Sequence, residues 1–353
     1  MNAPRPGPDT TIVASVSGGK DSTAMLLHLV ELGLREQVRP VFFDVGWDHP
    51  ATYDHLTYLE EAIGIPIERR AAVVDLAPEL VPDAERIEAM LGIPTPSAFV
   101  RLALHKGIFP RRTVRWCTQD LKVRVAQAAI RELHTKNVWP WNAVGIRAAE
   151  SAARSKLDEF EVSLTLDCMV WRPLIRWTEA QVIAIHQRHG VRPNPLYLAG
   201  ATRVGCWPCI MANKAESRLV GDDARRMAAI RELEAAVQRR HEARASGPVA
   251  RPPTLFTQTR RNPDGSRPGI SIDEHVAWAR TPRGGDIGEI EDRDDDADTG
   301  CMRWGMCEQA PPEPPAIAFE QTPIGLQGLL FPRPEPSPAA DADASPPRSR
   351  PAS

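Results

Sequence analysis

Residues 11–34 read TIVASVSGGKDSTAMLLHLVELGL, and this stretch constrains the fold more than any other part of the chain. Its β-branched, apolar start predicts a strand over Thr11–Ser17, and apolar residues at helical spacing predict a helix over Asp21–Leu34. Two adjacent glycines lie between the strand and the helix. Glycines let the backbone approach an anion closely, and the start of a helix favours negative charge. The stretch therefore predicts a phosphate site directly after the first strand of an α/β domain.

The glycine turn differs from the common nucleotide triphosphatase loop, which has four residues between its first glycine and a Gly-Lys-Ser/Thr sequence. In this chain Lys20 follows the two glycines immediately and Asp21 comes before the serine. Lys20 adds positive charge, and Asp21 can cap the helix or hold a magnesium ion. The competing interpretation is a plain strand–turn–helix connection capped by Asp-Ser. We predict that the whole turn binds nucleotide, through Ser17, Gly18, Gly19, Lys20, Asp21 and Ser22.

Strands and helices alternate through the first half of the chain. Such alternation predicts an open, mostly parallel sheet with helices on both faces, in which ligands bind at the carboxyl ends of the strands. The predicted strands are Thr11–Ser17, Arg39–Asp44, Pro66–Val74, Trp141–Ile146 and, more weakly, Val162–Val170. The predicted helices are Asp21–Leu34, Ala51–Ile63, Cys117–Leu133 and Thr178–His189, with a largely helical region over Pro78–Lys106.

Polar residues at two further strand ends are candidate nucleotide ligands. Asp44 ends the second strand, where a carboxylate can reach a ribose or a base, although a simple turn residue is the alternative. Gly145 lies at the end of a later strand, and Arg147 beyond it can bind phosphate with two parallel hydrogen bonds. Glu150 and Arg154 follow at three and seven residues from Arg147. Arg154 is also a candidate ligand, but an ordinary helical ion pair is the competing interpretation.

Charge is distributed unevenly along the chain. The net charge of −3 excludes a global basic field of the kind that marks general nucleic-acid binders. The acidic run 291–298, EDRDDDAD, is expected to be a solvated loop. A local basic patch is explained either by anionic substrate phosphates or by a solvated helix face. Its residues are Arg111, Arg112, Arg115, Lys122 and Arg124.

Composition predicts four regions. Residues 1–10 are expected to be a disordered lead without the apolar centre of a signal peptide, and 11–210 a nucleotide-binding α/β domain. Residues 211–308 form a helical and loop addition, with one long helix over Ala215–Ala245, and 309–353 form a disordered Pro/Ala/Ser-rich tail. No run approaches the roughly 18 apolar residues of a membrane span, so we predict a cytoplasmic protein without a membrane partner.

The cysteines suggest a metal site. Cys206 and Cys209 form a close pair, and Cys301 and Cys307 form a second, looser pair. Four thiolates suit zinc or an iron–sulfur cluster, and the spacing does not choose between them. Cys168 lies in an apolar, strand-like run and is predicted to be a core residue.

The motifs together resemble a known family. SGGKDS matches the SGGxDS signature of the PP-loop ATP pyrophosphatase superfamily, the adenine nucleotide alpha hydrolase-like fold. Its members cleave ATP between the α- and β-phosphates, and the AMP half activates an oxygen for attack by nitrogen or sulfur. Six further stretches resemble the phosphoadenosine phosphosulfate (PAPS) reductase family, which includes the DndC-like proteins of DNA sulfur modification, so that the resemblance covers roughly 11–308. They are FDVGWDHPATYDHL (43–56), RWCTQDLKVR (115–124), GIRAAESAARSKL (145–157), RPLIRWTEAQV (172–182), NPLYLAGATRVGCWPC (194–209) and CMRWGMCE (301–308).

The resemblance implies ligands and cofactors. It implies ATP or PAPS with Mg²⁺, nucleotide contacts by the segment Asp44–Trp47, and a [4Fe–4S] cluster near the nucleotide in preference to zinc. Cluster-bearing reductases have a cysteine pair in the early segment where this chain has only Cys117. Cys117 is therefore either a metal ligand or a free sulfur carrier. We expected Arg115 and Lys122 to lower the pKa of its thiol.

Two departures from the reductase pattern favour ATP cleavage followed by sulfur transfer. The phosphate loop is complete, and the Glu-Cys-Gly-Leu-His nucleophile segment of those reductases is absent from the sequence. On this hypothesis Lys20, Asp21, Cys117 and Arg147 are catalytic. The expected partners are a sulfur donor such as a cysteine desulfurase, or a thioredoxin-like reductant, and a nucleic-acid acceptor. The alternatives are a sulfonucleotide reductase that releases sulfite, and a non-catalytic nucleotide-sensing module with structural zinc.

Overall fold

The computed structural model describes residues 5–136, 138–245, 252–256 and 269–281. Cys301, Cys307, the acidic run 291–298 and the predicted tail 309–353 lie outside the described residues, as do the first four residues of the predicted lead. The expectations for these segments therefore stay predictions.

The centre of the structure is a six-stranded sheet in the order β3-β2-β1-β4-β6-β5. Neighbouring strands are parallel except for the edge strand β5, which is antiparallel to β6. The predicted open, mostly parallel sheet is confirmed. The strands are β1 (Ile12–Ser15), β2 (Val38–Asp44), β3 (Glu68–Ala71), β4 (Trp141–Val144), β5 (Phe160–Ser163) and β6 (Cys168–Trp171).

The strand order fixes where a ligand can bind. From β1 the chain first adds β2 and β3 on one side, and it then returns to place β4 on the other side of β1. The connections that leave β1 and β4 therefore diverge, which opens a crevice at the carboxyl ends of these two strands. The SGGKDS turn follows β1 and Gly145 follows β4, so both candidate loops border this crevice.

Eleven described helices surround the sheet, and none of them is long and apolar enough to cross a membrane. They are α1 (Lys20–Glu31), α2 (Pro50–Ile63), α3 (Val81–Leu91), α4 (Ala98–Lys106), α5 (Trp116–Thr118), α6 (Arg124–Thr135), α7 (Glu179–Arg188), α8 (Pro195–Leu198), α9 (Lys214–Asp222), α10 (Ala224–Arg244) and α11 (Ile272–Ala279). A π-helical turn, Gln119–Val123, joins α5 to α6.

Two large apolar cores stabilise the structure, and a smaller one lies between α6 and the sheet. The first packs α1, α2 and α7 against the sheet, with Met25, Leu56 and Ile185 fully buried. The second joins α3 and α4 to α10 and α11, with Ile87 and Leu233 among its buried side chains. The helices after residue 210 thus share a core with helices of the first half.

Two sequence predictions of secondary structure are wrong. Val162–Val170 is not one strand but the β5–β6 hairpin, which turns at Asp167 with a left-handed φ of 56°. Ala215–Ala245 is not one helix, because the chain breaks at Asp223 between α9 and α10. The Asp223 carboxylate accepts a hydrogen bond from the backbone N–H of Arg226 at 2.9 Å and so caps the start of α10.

Glu234 on α10 connects the late segments to the body. One carboxylate oxygen accepts the backbone N–H of Leu255 at 2.9 Å, and the other accepts that of Ile272 at 3.2 Å. Burial raises the pKa of Glu234 from 4.5 to about 7, and the two backbone hydrogen bonds only partly oppose this shift. Because the folded pKa is the higher one, this group's stabilising contribution is complete below pH 4.5 and is lost as pH rises through about 7.

We therefore predict that Glu234→Gln reduces the pH dependence of the unfolding free energy. The pKa shift of Glu234 corresponds to a change in unfolding free energy on the order of 3 kcal/mol between low and neutral pH. The uncharged amide of Gln at this position does not titrate and so cannot contribute this change. Urea unfolding at pH 5 and pH 8 measures it. Glu232→Gln is the control, because Glu232 is exposed and pairs with Arg86 at 3.3 Å. Equal pH dependence in wild type and Glu234→Gln would contradict the assignment.

Candidate functional site

The SGGKDS turn folds tightly onto itself at the mouth of the crevice. The Ser17 backbone N–H donates to Ser22 Oγ at 3.1 Å, and Ser22 Oγ donates to the Gly19 carbonyl at 3.0 Å. Gly18 has a φ of 71°, and a Cβ there would lie 2.9 Å from Thr52 Cγ2. Only glycine satisfies both constraints at this position. Helix α1 begins at the next residues, so its amino-terminal end faces the crevice.

An ion pair closes the crevice between β1 and β4. Arg147 Nε donates to Asp21 Oδ1 at 2.5 Å, and Arg147 is only 6% exposed. The Arg147 backbone N–H donates to Glu150 Oε2 at 2.8 Å, which fixes the loop after β4. The structure thus brings together Asp21 and Arg147, which the sequence placed 126 residues apart.

Gly145 permits this approach. A Cβ on Gly145 would lie 2.6 Å from the Asp21 carbonyl oxygen and 2.9 Å from Ser22 Cα. Both neighbours are backbone atoms of the first turn of α1, so they cannot move aside as a flexible side chain would. The loop after β4 therefore lies directly against the phosphate loop.

Lys20 is held by residues that sequence reasoning missed. Its Nζ is 3.2 Å from Glu179 Oε1 and donates to the Thr202 carbonyl at 3.2 Å. Its backbone N–H donates to the hydroxyl of Tyr197 at 3.0 Å, and the ammonium lies 5.1 Å from the centre of the Tyr197 ring. All three partners fall within the stretches 172–182 and 194–209, which carried the family resemblance without pointing to these contacts.

Residues 194–204, which we name the strap, cover the phosphate loop. Asn194 Nδ2 donates to the Gly18 carbonyl at 3.3 Å, and the Val204 carbonyl lies 3.4 Å from where a Cβ of Gly19 would be. The strap continues into Cys206, which forms an isolated antiparallel bridge with Asp48. The SGGKDS turn and Cys206, a predicted metal ligand, are therefore joined by one short segment.

Three of the predicted site cysteines lie near one another beside this segment. Cys117, Cys206 and Cys209 are half-buried free thiols, and they are close enough to perturb one another electrostatically. Burial raises the pKa of the Cys206 thiol strongly, and the nearby Lys122 only partly opposes this shift. The ammonium of Lys122 faces this group, and Cys206 is the main reason that the pKa of Lys122 is raised.

The expected low pKa of the Cys117 thiol is wrong. Burial raises it, Cys209 raises it further, and Lys122 only partly offsets these effects. Cys117 thus needs an event that removes its proton, such as metal binding or an arriving sulfur donor, before it acts as a thiolate.

The metal site stays a prediction. Among the residues that the structure describes, no group of three or more His, Cys, Asp or Glu side chains is arranged to hold a metal ion. Cys206 and Cys209 are near each other, while Cys301 and Cys307 lie outside the described part of the chain. Cys168 lies in β6 and is only 1% exposed, which confirms that it is a core residue.

Asp44 and Arg154 have protein partners of their own. The Asp44 carboxylate is buried and accepts hydrogen bonds from the Gly46 N–H at 2.7 Å, the Tyr53 hydroxyl at 2.8 Å and the Thr95 hydroxyl at 2.8 Å. Arg154 is 41% exposed and pairs with Glu150 at 2.5 Å, as the ion-pair interpretation expected. Nucleotide contacts by these two residues stay predictions.

The late helices reach the cysteine group through Arg226 of α10. Its Nη2 donates to the Asp48 carbonyl at 2.9 Å, and its guanidinium lies 5.0 Å from the centre of the Trp47 ring. Burial lowers the pKa of Arg226 to about 10 and raises the pKa of Asp48 to about 6. Arg226 thus anchors the backbone of Asp48, the residue that bridges Cys206.

We predict that Gly145→Ala destabilises the fold and weakens nucleotide binding together. Overpacking of this kind lowers stability by about 1–3 kcal/mol. Relieving the clash would push the loop after β4 away from α1. Gly205→Ala is the matched control, because a Cβ on Gly205 meets no atom within 4 Å. Urea unfolding and ATP titration measure the two effects. A Gly145→Ala protein as stable as Gly205→Ala would contradict the close approach.

Comparison with known proteins agrees with this geometry. The sequence model of the phosphoadenosine phosphosulfate reductase domain matches residues 11–212. A protein of Escherichia phage 186, described as an uncharacterized 37.8 kDa protein, is 33% identical over 316 residues, which cover 78% of this chain and 90% of the phage protein. An adenosine 5'-phosphosulfate reductase of Burkholderia cepacia is 31% identical over 112 residues, covering 30% of this chain and 42% of the reductase.

Similarity to solved structures is weaker. The phosphoadenylyl-sulfate (PAPS) reductase of Candida auris, in a phosphate complex, is 20% identical and covers 57% of this chain and 82% of its own, with a TM-score of 0.35 that is too low to argue from. The domain match covers more than half of the chain and contains the SGGKDS turn, Arg147 and the cysteine pair. The chain belongs to the phosphoadenosine phosphosulfate reductase family.

Proposed function

We propose that the protein binds ATP at the SGGKDS turn, releases pyrophosphate, and uses the AMP half to activate an acceptor for sulfur transfer. The observation that carries this proposal is the contiguity of two sites. The strap contacts Gly18 through Asn194 and Lys20 through Thr202, and it then continues directly into Cys206. A phosphate site and a thiol group this close suit a reaction that activates an oxygen and then replaces it with sulfur.

The residues of the crevice suit ATP cleavage between the α- and β-phosphates. The start of α1 and the ammonium of Lys20 would stabilise negative charge on the phosphates. Lys20 reaches them by exchanging its contact with Glu179 for a phosphate oxygen. Asp21, already oriented by Arg147, would hold Mg²⁺, which neutralises charge between phosphate groups when bound. Arg147 then keeps the Asp21 carboxylate fixed and adds positive charge at the carboxyl end of β4.

The reaction balances in two stages. An acceptor oxygen attacks the α-phosphorus, its bond to the bridging oxygen of the β-phosphate breaks, and pyrophosphate leaves. The terminal sulfur of a persulfide on Cys117 then attacks the activated carbon and AMP leaves with the oxygen. A cysteine desulfurase would supply the persulfide sulfur. A thioredoxin-like dithiol would supply the two electrons that cleave the remaining S–S bond and restore Cys117.

We further propose that Cys206 and Cys209, together with Cys301 and Cys307, hold a metal cofactor. The described donors are soft thiols, half-buried, and next to the cation of Lys122, which would compensate an anionic sulfur-rich centre. We propose a [4Fe–4S] cluster, which would supply electrons or polarise sulfur when bound, and zinc is the alternative. Cys117 adjoins this group as either a further ligand or the sulfur carrier.

Sulfonucleotide reduction is the second candidate. The local similarity to adenosine 5'-phosphosulfate reductases favours it, at 31% identity for the Burkholderia cepacia protein and 43% over 53 residues for the one from Deinococcus radiodurans. These matches cover less than half of each reductase. On this alternative the same crevice would bind PAPS or adenylyl sulfate, and the product would be sulfite.

One experiment separates the candidates. Anaerobically purified protein is incubated with ATP or PAPS, together with a persulfide donor and a dithiol, and pyrophosphate and sulfite are assayed together. Pyrophosphate from ATP without sulfite supports the first candidate, and sulfite from PAPS supports the second. Tight nucleotide binding without either product leaves a nucleotide-sensing module with structural zinc.

We predict that Lys20→Ala lowers ATP affinity about 10- to 100-fold, because charge-assisted hydrogen bonds contribute roughly 1.5–3 kcal/mol each. Isothermal titration measures the affinity, and urea unfolding shows whether folding is preserved. Lys136→Ala is the control, since Lys136 is exposed and pairs only locally with Glu132 at 3.0 Å. Unchanged affinities for both ATP and PAPS in Lys20→Ala would show that the phosphate site lies elsewhere.

For the metal we predict brown anaerobic protein with about four iron and four sulfide per chain, as a [4Fe–4S] cluster requires. Cys206→Ser should remove the iron, whereas Cys168→Ala, which changes a buried core thiol, should keep it. Loss of iron in Cys117→Ser would identify a ligand. Retained iron with lost sulfur transfer would identify the carrier. Colourless protein with one zinc per chain would overturn the cluster assignment.

A further inference from the structure

The predicted basic patch divides into two parts in the structure. Lys122 faces the cysteines, and Arg124 pairs with Asp120 at 3.2 Å. The remaining residues lie on an exposed turn, Arg111–Arg115, which we name the basic turn. It is closed by two backbone hydrogen bonds of 3.1 Å between Arg111 and Val114, one in each direction.

The basic turn lacks counter-charges. Within the part of the chain that the structure describes, none of its three arginines, Arg111, Arg112 and Arg115, forms an ion pair, and all three are exposed. Residues 106–124 contain six basic residues and one acidic residue, a net charge of +5 in a chain whose total is −3. The one acidic residue, Asp120, already forms ion pairs with Lys106 at 3.2 Å and with Arg124.

The turn also lies beside the thiol group, because Cys117 follows Arg115 by two residues. The side chain between them, Trp116, is buried against Phe99, with ring centres 5.4 Å apart. This packing fixes the base of the turn while its arginines project outward. Whatever neutralises the basic turn must therefore come close to the cysteines.

The chain itself contains a segment of matching charge. The acidic run 291–298 has six acidic residues and one basic residue, a net charge of −5. It starts ten residues after Thr281, the last described residue, so the intervening chain can span up to about 33–36 Å. The segment that leads to the acidic run starts close to residues that follow Cys209. The Thr281 carbonyl accepts a hydrogen bond from Lys214 at 3.3 Å, and Lys214 follows Cys209 by five residues.

We propose that the acidic run docks on the basic turn of the same chain and thereby returns Cys301 and Cys307 to Cys206 and Cys209. Cys301 follows the acidic run by only three residues, so docking would leave the late cysteine pair next to the early one. A single exposed ion pair contributes little to stability, so several must act together. The short tether assists them, because it keeps the acidic run at an effective concentration in the millimolar range. This inference does not depend on ATP cleavage or on the identity of the metal.

Carbodiimide cross-linking of the full chain tests the proposal. Arg112→Lys keeps the charge of the basic turn and provides an amine that can be joined to a carboxylate. The matched control is Arg39→Lys, an exposed position in β2 that lies on the sheet rather than on the turn. Mass spectrometry counts the peptides that join each position to residues 291–298. A mixture of isotope-labelled and unlabelled chains separates links within one chain from links between chains.

We expect position 112 to be linked to the acidic run at least about fivefold more often than position 39 at low salt, within single chains. The excess should disappear near 1 M salt, where charges are screened beyond about 3 Å. Equal linking at the two positions, or links only between chains, would overturn the proposal. So would binding of a nucleic acid by the basic turn while the acidic run stays unlinked.

Charge exchange provides a second measurement that does not need cross-linking. Reversing the charge of the basic turn should make Cys301 and Cys307 react severalfold faster with a thiol reagent. The substitutions are Arg111→Glu, Arg112→Glu and Arg115→Glu. Reversing the charge of the acidic run, by Asp294→Lys, Asp295→Lys and Asp296→Lys, should accelerate the same reaction. Combining both reversals should restore the slow rate, because the complementary charges are again opposite. Additive acceleration in the combined variant would contradict docking.

Discussion

The ion pair between Asp21 and Arg147 is the interaction on which the rest of the site depends. It joins the two loops that border the crevice, and it forms only because Gly145 lets the β4 loop lie against the first turn of α1. Arg147 is almost fully buried, so its guanidinium needs this carboxylate. Removing one partner of a buried pair typically costs about 3–5 kcal/mol, because the other charge is left without compensation. The pair therefore fixes the orientation of Asp21 and the width of the crevice at once.

A second buried arginine connects the later helices to the same centre. Arg226 belongs to α10, yet it binds the Asp48 carbonyl and lies over the ring of Trp47. Since Asp48 bridges Cys206, the position of α10 and the position of the cysteine loop are set together. This is why the helices after residue 210 are not a separable appendage in structural terms. They share a core with α3 and α4 and help to hold the backbone on which the thiols are mounted.

The sequence predicted those features of the structure that depend on residues close together in the chain. The alternation of strands and helices, the glycine turn between β1 and α1 and the burial of Cys168 could be predicted, because each follows from a short run of residues. The β5–β6 hairpin was missed because its turn contains no glycine or proline, and Leu164 in it is apolar although 93% exposed. The break at Asp223 was hidden by helix-forming residues on both sides.

The partners of Lys20 could not be predicted in this way, because Tyr197 and Thr202 lie 177 and 182 residues away in the sequence. The pKa of Cys117 was misjudged for the same reason. Nearby arginines in the sequence suggested a stabilised thiolate, whereas burial, which only the folded chain reveals, has the larger effect. Asp44 shows the opposite case, since its place at a strand end was read correctly but its three internal hydrogen-bond donors were not foreseen.

The strap has a thermodynamic consequence for the two sites that it joins. The Tyr197 hydroxyl and the Thr202 carbonyl use the amide and the ammonium of Lys20, two donors that an anion would otherwise engage. An anion that takes the backbone N–H of Lys20 must first displace Tyr197 of the strap, so its apparent affinity is reduced by the fraction of molecules in which Tyr197 is in place. The ammonium can instead exchange its contact with Glu179. Since the strap continues into Cys206, any change at the thiols that shifts this fraction alters anion affinity. Binding linkage is reciprocal, and the anion must then change the affinity of the thiols for their own ligand by the same factor.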